Sequence, residues 1–168
     1  MGKVLKHIAL TALLAMDAWS VDSCNTTGCT DLRSSIPQAG FYSSATAEKV
    51  TLDSLEISGV GVPGDSVLLS PGSPVQSVYL PMRTDSDITA WCIKYKYHDL
   101  DRDALNDTLT LRYETKPFFA SNECGVMYQY DLKSVDVTTH LIDSVKVVEP
   151  LITNNDHIQL QIYFRMQQ

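Results

Sequence analysis

The amino-acid sequence predicts an all-β protein, an antiparallel β-sandwich of seven to nine short strands. Several segments alternate apolar and polar residues with the period of two that a strand with one buried face requires. Turn signals rich in glycine, proline, asparagine and aspartate separate these segments about every 8–15 residues. After residue 24, no stretch carries a convincing apolar stripe with the helical period of 3.6 residues. A β-barrel is the alternative fold that the same pattern allows.

The candidate strands follow one another along the chain, and the segment 88–97 is the longest without a break in its alternation. Aromatic residues at period two are what a sandwich core requires, so we expect them in the core and not on a sugar-binding face. These aromatic residues are Trp91, Tyr95, Tyr97, Tyr128 and Tyr130. Seven to nine strands are expected among ten candidate segments, which are 40–43, 50–60, 66–70, 78–82, 88–97, 108–113, 126–130, 135–138, 144–148 and 158–164.

The composition indicates a globular protein with an acidic surface. A length of 168 residues suffices for one domain with its own core, and 44% hydrophobic and 20% charged residues exclude wholesale disorder. The net charge of -7 and the pI near 4.9 argue against nucleic-acid binding, which needs a positive surface. They also argue against electrostatic docking on anionic lipids. Membrane association therefore requires a covalent or inserted anchor.

The N-terminus has the organisation of an export signal. Two lysines precede an apolar run at residues 8–16, which is too short to span a bilayer of about 30 Å. Val21 and Ser23 then occupy the aliphatic and small positions of a bacterial lipobox, directly before Cys24. Lipidation would cut the chain before Cys24 and attach acyl chains to that residue. The alternatives are a plain secretory signal and a buried N-terminal helix.

This reading divides the chain into three parts. Residues 1–23 are the predicted signal peptide, residues 24–39 are a lipid-anchored N-terminal tether, and residues 40–168 are a single β-sandwich domain. The two lysines and two aspartates of the signal leave together, so the mature chain keeps a side-chain charge of -7. The partner that we expect is therefore a membrane, reached through the N-terminal lipid anchor.

The disulfide pairing of the four cysteines depends on whether Cys24 is lipidated. With lipid on Cys24, three thiols remain in an oxidising compartment, so one pair is expected to form and one thiol to be left. A bridge between Cys29 and Cys124 would pin the polar N-terminal stretch to the domain, with Cys92 as a buried free thiol. Without lipidation, a bridge from Cys24 or Cys29 to Cys124, or two bridges in all, become possible.

The acidic turn at residues 99–107 is the strongest candidate for a metal-binding site in the sequence. Asp99, Asp101 and Asp103 are weak calcium candidates, because carboxylate oxygens at alternating spacing suit this ion. An EF-hand loop needs a glycine and a glutamate where this chain has Ala104 and Thr110. We therefore expect a solvated loop and no metal site.

No catalytic signature is visible in the sequence. The chain has no GxSxG motif and its histidines are scattered, so we expect neither an enzyme nor a cofactor. The expected role is a non-enzymatic accessory or binding module. A ligand-binding module for glycan or calcium is the alternative, and a hydrolase is a further, remote one.

The chain resembles the small, uncharacterised lipoproteins of Bacteroidetes, a family with no assigned function. The likeness covers most of residues 24–168 and depends on the order of several short features. These features are Cys24 and Cys29, the segments 36–38, 41–42, 59–61, 65–66, 80–82, 108–113, 124–125 and 142–145, and Pro150.

The resemblance implies lipid on Cys24 and a bridge from Cys29 to Cys124, which leaves Cys92 as an extra thiol. It supplies no catalytic residues. In this phylum, surface-displayed lipoproteins often carry acidic residues directly after the lipidated cysteine, and residues 25–28 contain none. We therefore expect an outer-membrane lipoprotein that faces the periplasm, with an envelope protein as a possible partner. A soluble secreted protein and a cell-surface location are the alternatives.

Overall fold

The computed structural model describes residues 35–64, 66–121 and 124–165. In these residues ten strands form two separate sheets. The strands are β1 (Gln38–Ser43), β2 (Leu55–Gly59), β3 (Val67–Leu69), β4 (Ser77–Tyr79), β5 (Ile88–Tyr95), β6 (Asp107–Ser121), β7 (Gly125–Val137), β8 (Ile142–Val147), β9 (Leu151–Ile152) and β10 (Ile158–Phe164). The predicted β-sandwich is confirmed. Neither sheet closes on itself, so the barrel alternative is wrong.

The two sheets have different sizes and one unexpected pairing. Four strands lie in the order β4-β1-β10-β8, and six lie in the order β3-β2-β5-β6-β7-β9. All neighbours are antiparallel except β1 and β10, which run parallel. The prediction of a purely antiparallel fold is therefore wrong for this one pair. Parallel strands need a long connection, and almost the whole domain separates β1 from β10.

The core lies between the facing sheets. The ring of Phe164 in β10 makes edge contacts with Phe41 of the same sheet and with Tyr95 of the other sheet, at ring-centre distances of 5.6 and 6.4 Å. Alternation along the strands supplies the remaining core, because every second side chain points inward. Fully buried apolar side chains are Phe41, Ile57, Leu80, Ile93, Leu109, Leu111, Ile142, Ile152, Leu160 and Ile162.

Several strand boundaries differ from the sequence prediction. β1 begins at Gln38, two residues before the predicted start of the domain at Gly40. β5 ends at Tyr95, so Tyr97 leaves the sheet and is 57% exposed instead of joining the core. The predicted polar turn after β5 contains two short 3-10 turns, His98–Leu100 and Asp103–Leu105. The two-residue strand β9 was not predicted.

The largest difference is the hairpin of β6 and β7. β6 continues to Ser121, well beyond the predicted end at residue 113, and β7 is one strand where two were expected. Tyr130 is buried, as predicted, but Tyr128 is 43% exposed, because the hairpin extends past the part of the sheet that the core covers. No helix among the described residues is long and apolar enough to cross a membrane.

Candidate functional site

A cavity of about 400 Å³ lies at one end of the sandwich, where the two sheets meet. Its apolar wall combines Leu55 and Tyr95 of the six-stranded sheet with Phe164 of the four-stranded sheet. Leu52 and Leu141 add apolar surface from the connecting segments. A concave, largely apolar site with a few polar groups is the usual form of a small-molecule binding site.

The rim of this cavity carries an exposed aromatic pair. Directly after β5, Tyr97 and His98 place their rings 4.5 Å apart, edge to face. His98 has a φ of 37°, a left-handed conformation that non-glycine residues rarely adopt and that stores backbone strain. The 3-10 turn that follows is closed by the N–H of Leu100, which donates to the carbonyl of Tyr97 at 2.8 Å. The rings of Tyr97 and His98 are therefore carried on a constrained turn.

Polar groups on the rim come from three segments. Asp53 and Asp99 line the cavity from two loops, and Arg165 lines it from the residue after β10. The guanidinium of Arg165 donates to the carbonyl of Thr139 at 2.6 Å and pairs with Asp143 at 3.2 Å. The arginine is thereby fixed in place beside the cavity.

Beneath the cavity, the carboxylate of Asp107 is completely buried. Its Oδ2 accepts hydrogen bonds from the Tyr95 hydroxyl at 2.7 Å and from the backbone N–H groups of Leu141 and Ile142, both at 2.9 Å. Its Oδ1 accepts from the Thr138 hydroxyl and from the N–H of His140, both at 2.8 Å. One carboxylate thus ties β5 to the segment that leads into β8.

The protonation of this pair follows from its surroundings. Burial by itself would raise the pKa of Asp107, but the hydrogen bonds from Tyr95 and from three backbone N–H groups outweigh burial and lower the pKa. Burial and the hydrogen bond to Asp107 raise the pKa of Tyr95 far above its ordinary value. Asp107 is therefore the anion and Tyr95 the neutral donor at neutral pH. This arrangement fixes Tyr95, which forms part of the wall of the cavity, to the segment that leads into β8.

The three calcium candidates of the sequence are separated in the structure. Asp99 lines the cavity, whereas Asp101 pairs with Lys96 at 2.9 Å. Asp103 begins the second 3-10 turn and accepts a hydrogen bond from the Asn106 amide. Within the described residues, no group of three or more histidine, cysteine or acidic side chains is arranged to hold a metal ion.

Two of the four cysteines lie outside the described residues. They are Cys24 and Cys29, so lipidation of Cys24 and the pairing of Cys29 stay predictions. Cys92 is a free thiol in β5 and is partly buried, not fully buried as predicted, and this burial raises its pKa. Cys124 lies at the turn between β6 and β7, where its N–H donates to the Ser121 hydroxyl at 3.0 Å.

Sequence reasoning missed Asp107 and the cavity. Asp107 stands at the end of a polar, aspartate-rich turn and looks like one more solvated residue. Its hydrogen-bond donors at residues 138–142 lie more than thirty positions away, so local sequence carries little sign of them. The clean alternation that starts directly after Asp107 is the one available signal, since it shows that this turn leads straight into a core strand.

Together, the fold and the cavity define an all-β sandwich with a small-molecule-sized cavity at one end. The family described as "Family of unknown function (DUF6452)" matches residues 54–164, and the chain belongs to this family. The match runs from the residue before β2 to the end of β10 and leaves β1 outside. Comparisons with curated proteins and with solved structures give no match.

Proposed function

We propose that this protein is an envelope lipoprotein, anchored through Cys24, whose β-sandwich domain is a non-enzymatic binding module. The cavity beside Tyr97 is the observation that supports a binding role for the domain. Its wall is largely apolar, and its rim offers an exposed aromatic ring with carboxylates close by. Membership of a family of unknown function is consistent with the proposal and names no ligand.

A neutral sugar is the ligand class that the cavity rim favours. The ring of Tyr97 offers an apolar face on which a sugar ring can stack, and carboxylates such as Asp99 accept hydrogen bonds from hydroxyls. The domain is acidic overall, with a net charge of -7 for the chain, which disfavours anionic ligands.

Binding is tested with the mature protein and neutral oligosaccharides, followed by backbone amide NMR. We expect shifts confined to residues 51–55, 95–100, 141 and 164–165, because these residues line or adjoin the cavity. Tyr97→Ala should weaken any such binding at least tenfold, whereas the matched exposed variant Tyr79→Ala should not. Shifts scattered over the surface, or equal affinity of both variants, would contradict a binding site in this cavity.

Lipidation is tested by the intact mass of the protein extracted from envelope membranes. The proposal expects a chain that starts at Cys24 and carries acyl chains, and expects Cys24→Ser to abolish both processing and membrane retention. A mass that includes residues before Cys24 would contradict the anchor. Protease treatment of intact cells then tests the periplasm-facing orientation, which predicts that the domain stays protected.

The proposed disulfide joins Cys29 to Cys124. Cys124 is disulfide-bonded and Cys92 carries a free thiol, which supports a bridge to the N-terminal part of the chain. Non-reducing peptide mapping of the envelope-extracted protein should recover the Cys29 and Cys124 peptides as one species. A peptide that links Cys92 to either of them would refute the pairing.

A further inference from the structure

The β6–β7 hairpin carries an apolar face that the core leaves uncovered. Tyr113 and Tyr130 present the start of this face to the core, where their rings meet edge to face at 5.3 Å. Further along the same strands, Pro117 pairs with Tyr128 and Phe119 pairs with Val126. Directly paired residues of antiparallel strands point to the same side, so the four side chains form one surface. We refer to Pro117, Phe119, Val126 and Tyr128 as the hairpin face.

Exposure increases along the hairpin face. Tyr130 is 4% exposed, Tyr128 is 43% exposed and Val126 is 61% exposed, while Phe119 on the paired strand reaches 65%. The face is therefore the continuation of a core surface beyond the end of the sandwich. Grouped apolar side chains of this size mark a contact site, whereas single exposed apolar residues are normal.

The described chain begins at the same end of the sandwich. The N–H of Leu80 donates at 2.9 Å to the carbonyl of Pro37, which is two residues after the start of the described chain. The N–H of Arg83, three residues further on, donates to the hydroxyl of Tyr113 at 3.0 Å. Tyr113 is the point on β6 from which the hairpin leaves the core. Pro37 and the hairpin are therefore at the same end of the domain.

Chain length keeps the proposed anchor within reach of this end. Cys24 precedes Ser35 by 11 positions, which span at most about 38 Å when fully extended. The proposed bridge from Cys29 to Cys124 would shorten the free chain to five positions, about 17 Å. Cys124 itself lies at the turn of the hairpin.

Charge indicates which contact the hairpin makes. Lys116 and Lys133 flank the hairpin face, but both pair with Asp131, at 2.7 and 2.8 Å, and so form no free basic patch beside the hairpin face within the described residues. An acidic domain without such a patch gains nothing from anionic headgroups, so its contact must be apolar. Phenylalanine, valine and tyrosine suit the boundary between headgroups and acyl chains, where tyrosine keeps its hydroxyl in water.

We propose that the hairpin face inserts into the lipid bilayer beside the anchor and holds the domain in one orientation. This proposal rests on the lipoprotein function proposed above. β6 spans about 46 Å from Asp107 to Ser121, so the cavity at its other end is held away from the membrane and open to ligands from the aqueous side.

Fluorescence of a tryptophan placed on the hairpin face tests this orientation. Trp91 is the one tryptophan of the mature sequence and is 3% exposed, so a new tryptophan at the surface is readily distinguished. Phe119→Trp is introduced into the full lipoprotein, which is extracted from the envelope and reconstituted in phosphatidylethanolamine–phosphatidylglycerol vesicles that contain brominated phosphatidylcholine. We expect a blue shift and at least twofold quenching by the brominated lipid.

The matched control is Val67→Trp in β3, where the side chain is 53% exposed. Its pairing through Ser58 and Cys92 places it level with Thr108, about 36 Å along β6 from Phe119. This control should not be quenched. Val126→Trp, on the paired strand, provides a second reporter of the same face and should behave as Phe119→Trp does.

The intact mass of each sample separates the two proposals. An acylated protein whose Phe119→Trp and Val126→Trp reporters stay unquenched overturns the membrane contact and leaves the lipoprotein standing. A protein without acyl chains on Cys24 overturns both. A blue shift without vesicles that grows with protein concentration overturns the membrane contact in favour of a second copy of the chain.

Discussion

Asp107→Asn is the substitution whose effect the structure defines most sharply. The carboxylate accepts five hydrogen bonds, three from backbone N–H groups and two from the hydroxyls of Tyr95 and Thr138. An asparagine keeps one acceptor oxygen and turns the other into a donor. If its oxygen takes the Oδ2 position, the hydroxyl of Thr138 can rotate to accept, but the N–H of His140 then faces another donor.

The expected loss combines that orphaned N–H with the weakening of the remaining bonds, which are no longer charge-assisted. An unsatisfied buried donor costs about 1–3 kcal/mol, and hydrogen bonds to a charged group contribute about 1.5–3 kcal/mol each. We therefore expect Asp107→Asn to lower the free energy of unfolding by about 2–4 kcal/mol, measured by urea denaturation. Thr138→Val, which removes a single donor, should cost about 1–2 kcal/mol.

The free energies of unfolding of wild type and Asp107→Asn should also depend differently on pH. The pKa of Asp107 is lower in the folded state than in the unfolded chain, where it is about 3.9. The charged carboxylate therefore stabilises the fold fully above that pH, and this stabilisation is lost as the pH falls through the lower, folded-state pKa. The difference in the free energy of unfolding between wild type and Asp107→Asn should therefore shrink as the pH falls below about 3.9. Two results would refute the reasoning. One is a free energy of unfolding for Asp107→Asn within about 0.5 kcal/mol of wild type at pH 7, and the other is a difference in this free energy that stays unchanged down to pH 2.

Three further predictions concern side chains outside this network. Partial burial raises the pKa of the Cys92 thiol, so Ellman's reagent at pH 8 should react more slowly in buffer than in urea, and equal rates would contradict this protection of the thiol. Hydrogen bonds from Lys116 and Lys133 lower the pKa of Asp131 to about 2. An NMR titration should find this value, and Lys116→Met should move it towards the ordinary 3.8, while an unchanged midpoint would argue against the ion pair. Gly125 has a φ of 69° and space for a Cβ, so Gly125→Ala should cost about 1 kcal/mol of unfolding free energy from backbone strain alone, and a neutral result would mean that the turn relaxes.

Strand alternation was sufficient to predict the centre of the fold. In β10, Leu160, Ile162 and Phe164 all face the core, as their period of two predicts. In β6, Leu109 and Leu111 are completely buried for the same reason. Such strands can be predicted from sequence because burial of one face requires an apolar side chain at every second residue.

The hairpin was not predictable by the same rule. Lys116 and Pro117 interrupt the alternation, and proline normally argues against a strand because it cannot donate to a neighbouring chain. β5 pairs with β6 only as far as Arg112, so one edge of β6 faces no β5 residue near Pro117 and the missing N–H costs nothing there. This tolerance depends on the length of a neighbouring strand, which local sequence does not contain.

The cavity was not predictable because no single segment forms it. Its walls combine residues from the approach to β2, the end of β5, the entry to β8 and the end of β10. Tyr97 was expected in the core because it continues the period of β5, but the strand ends two residues earlier and the left-handed His98 turns the chain away. Where a strand stops depends on its pairing with β2 and β6, which is a tertiary property.

The parallel pair of β1 and β10 has a kinetic consequence. The amide of Gln38 donates at 2.8 Å to the buried side chain of Gln159, 121 positions later, and β1 has β10 on one side and only the three-residue β4 on the other. Among the described strands, β1 is synthesised first and β10 last, so the four-stranded sheet cannot assemble around β1 until β10 has been made. Pairing over such separations is slow, on a timescale of about milliseconds to seconds, because the intervening loop must be ordered before contacts form. A chain stopped short of β10 would expose the long edge of β1 to other chains, so ribosome stalling or C-terminal clipping should lead to aggregation.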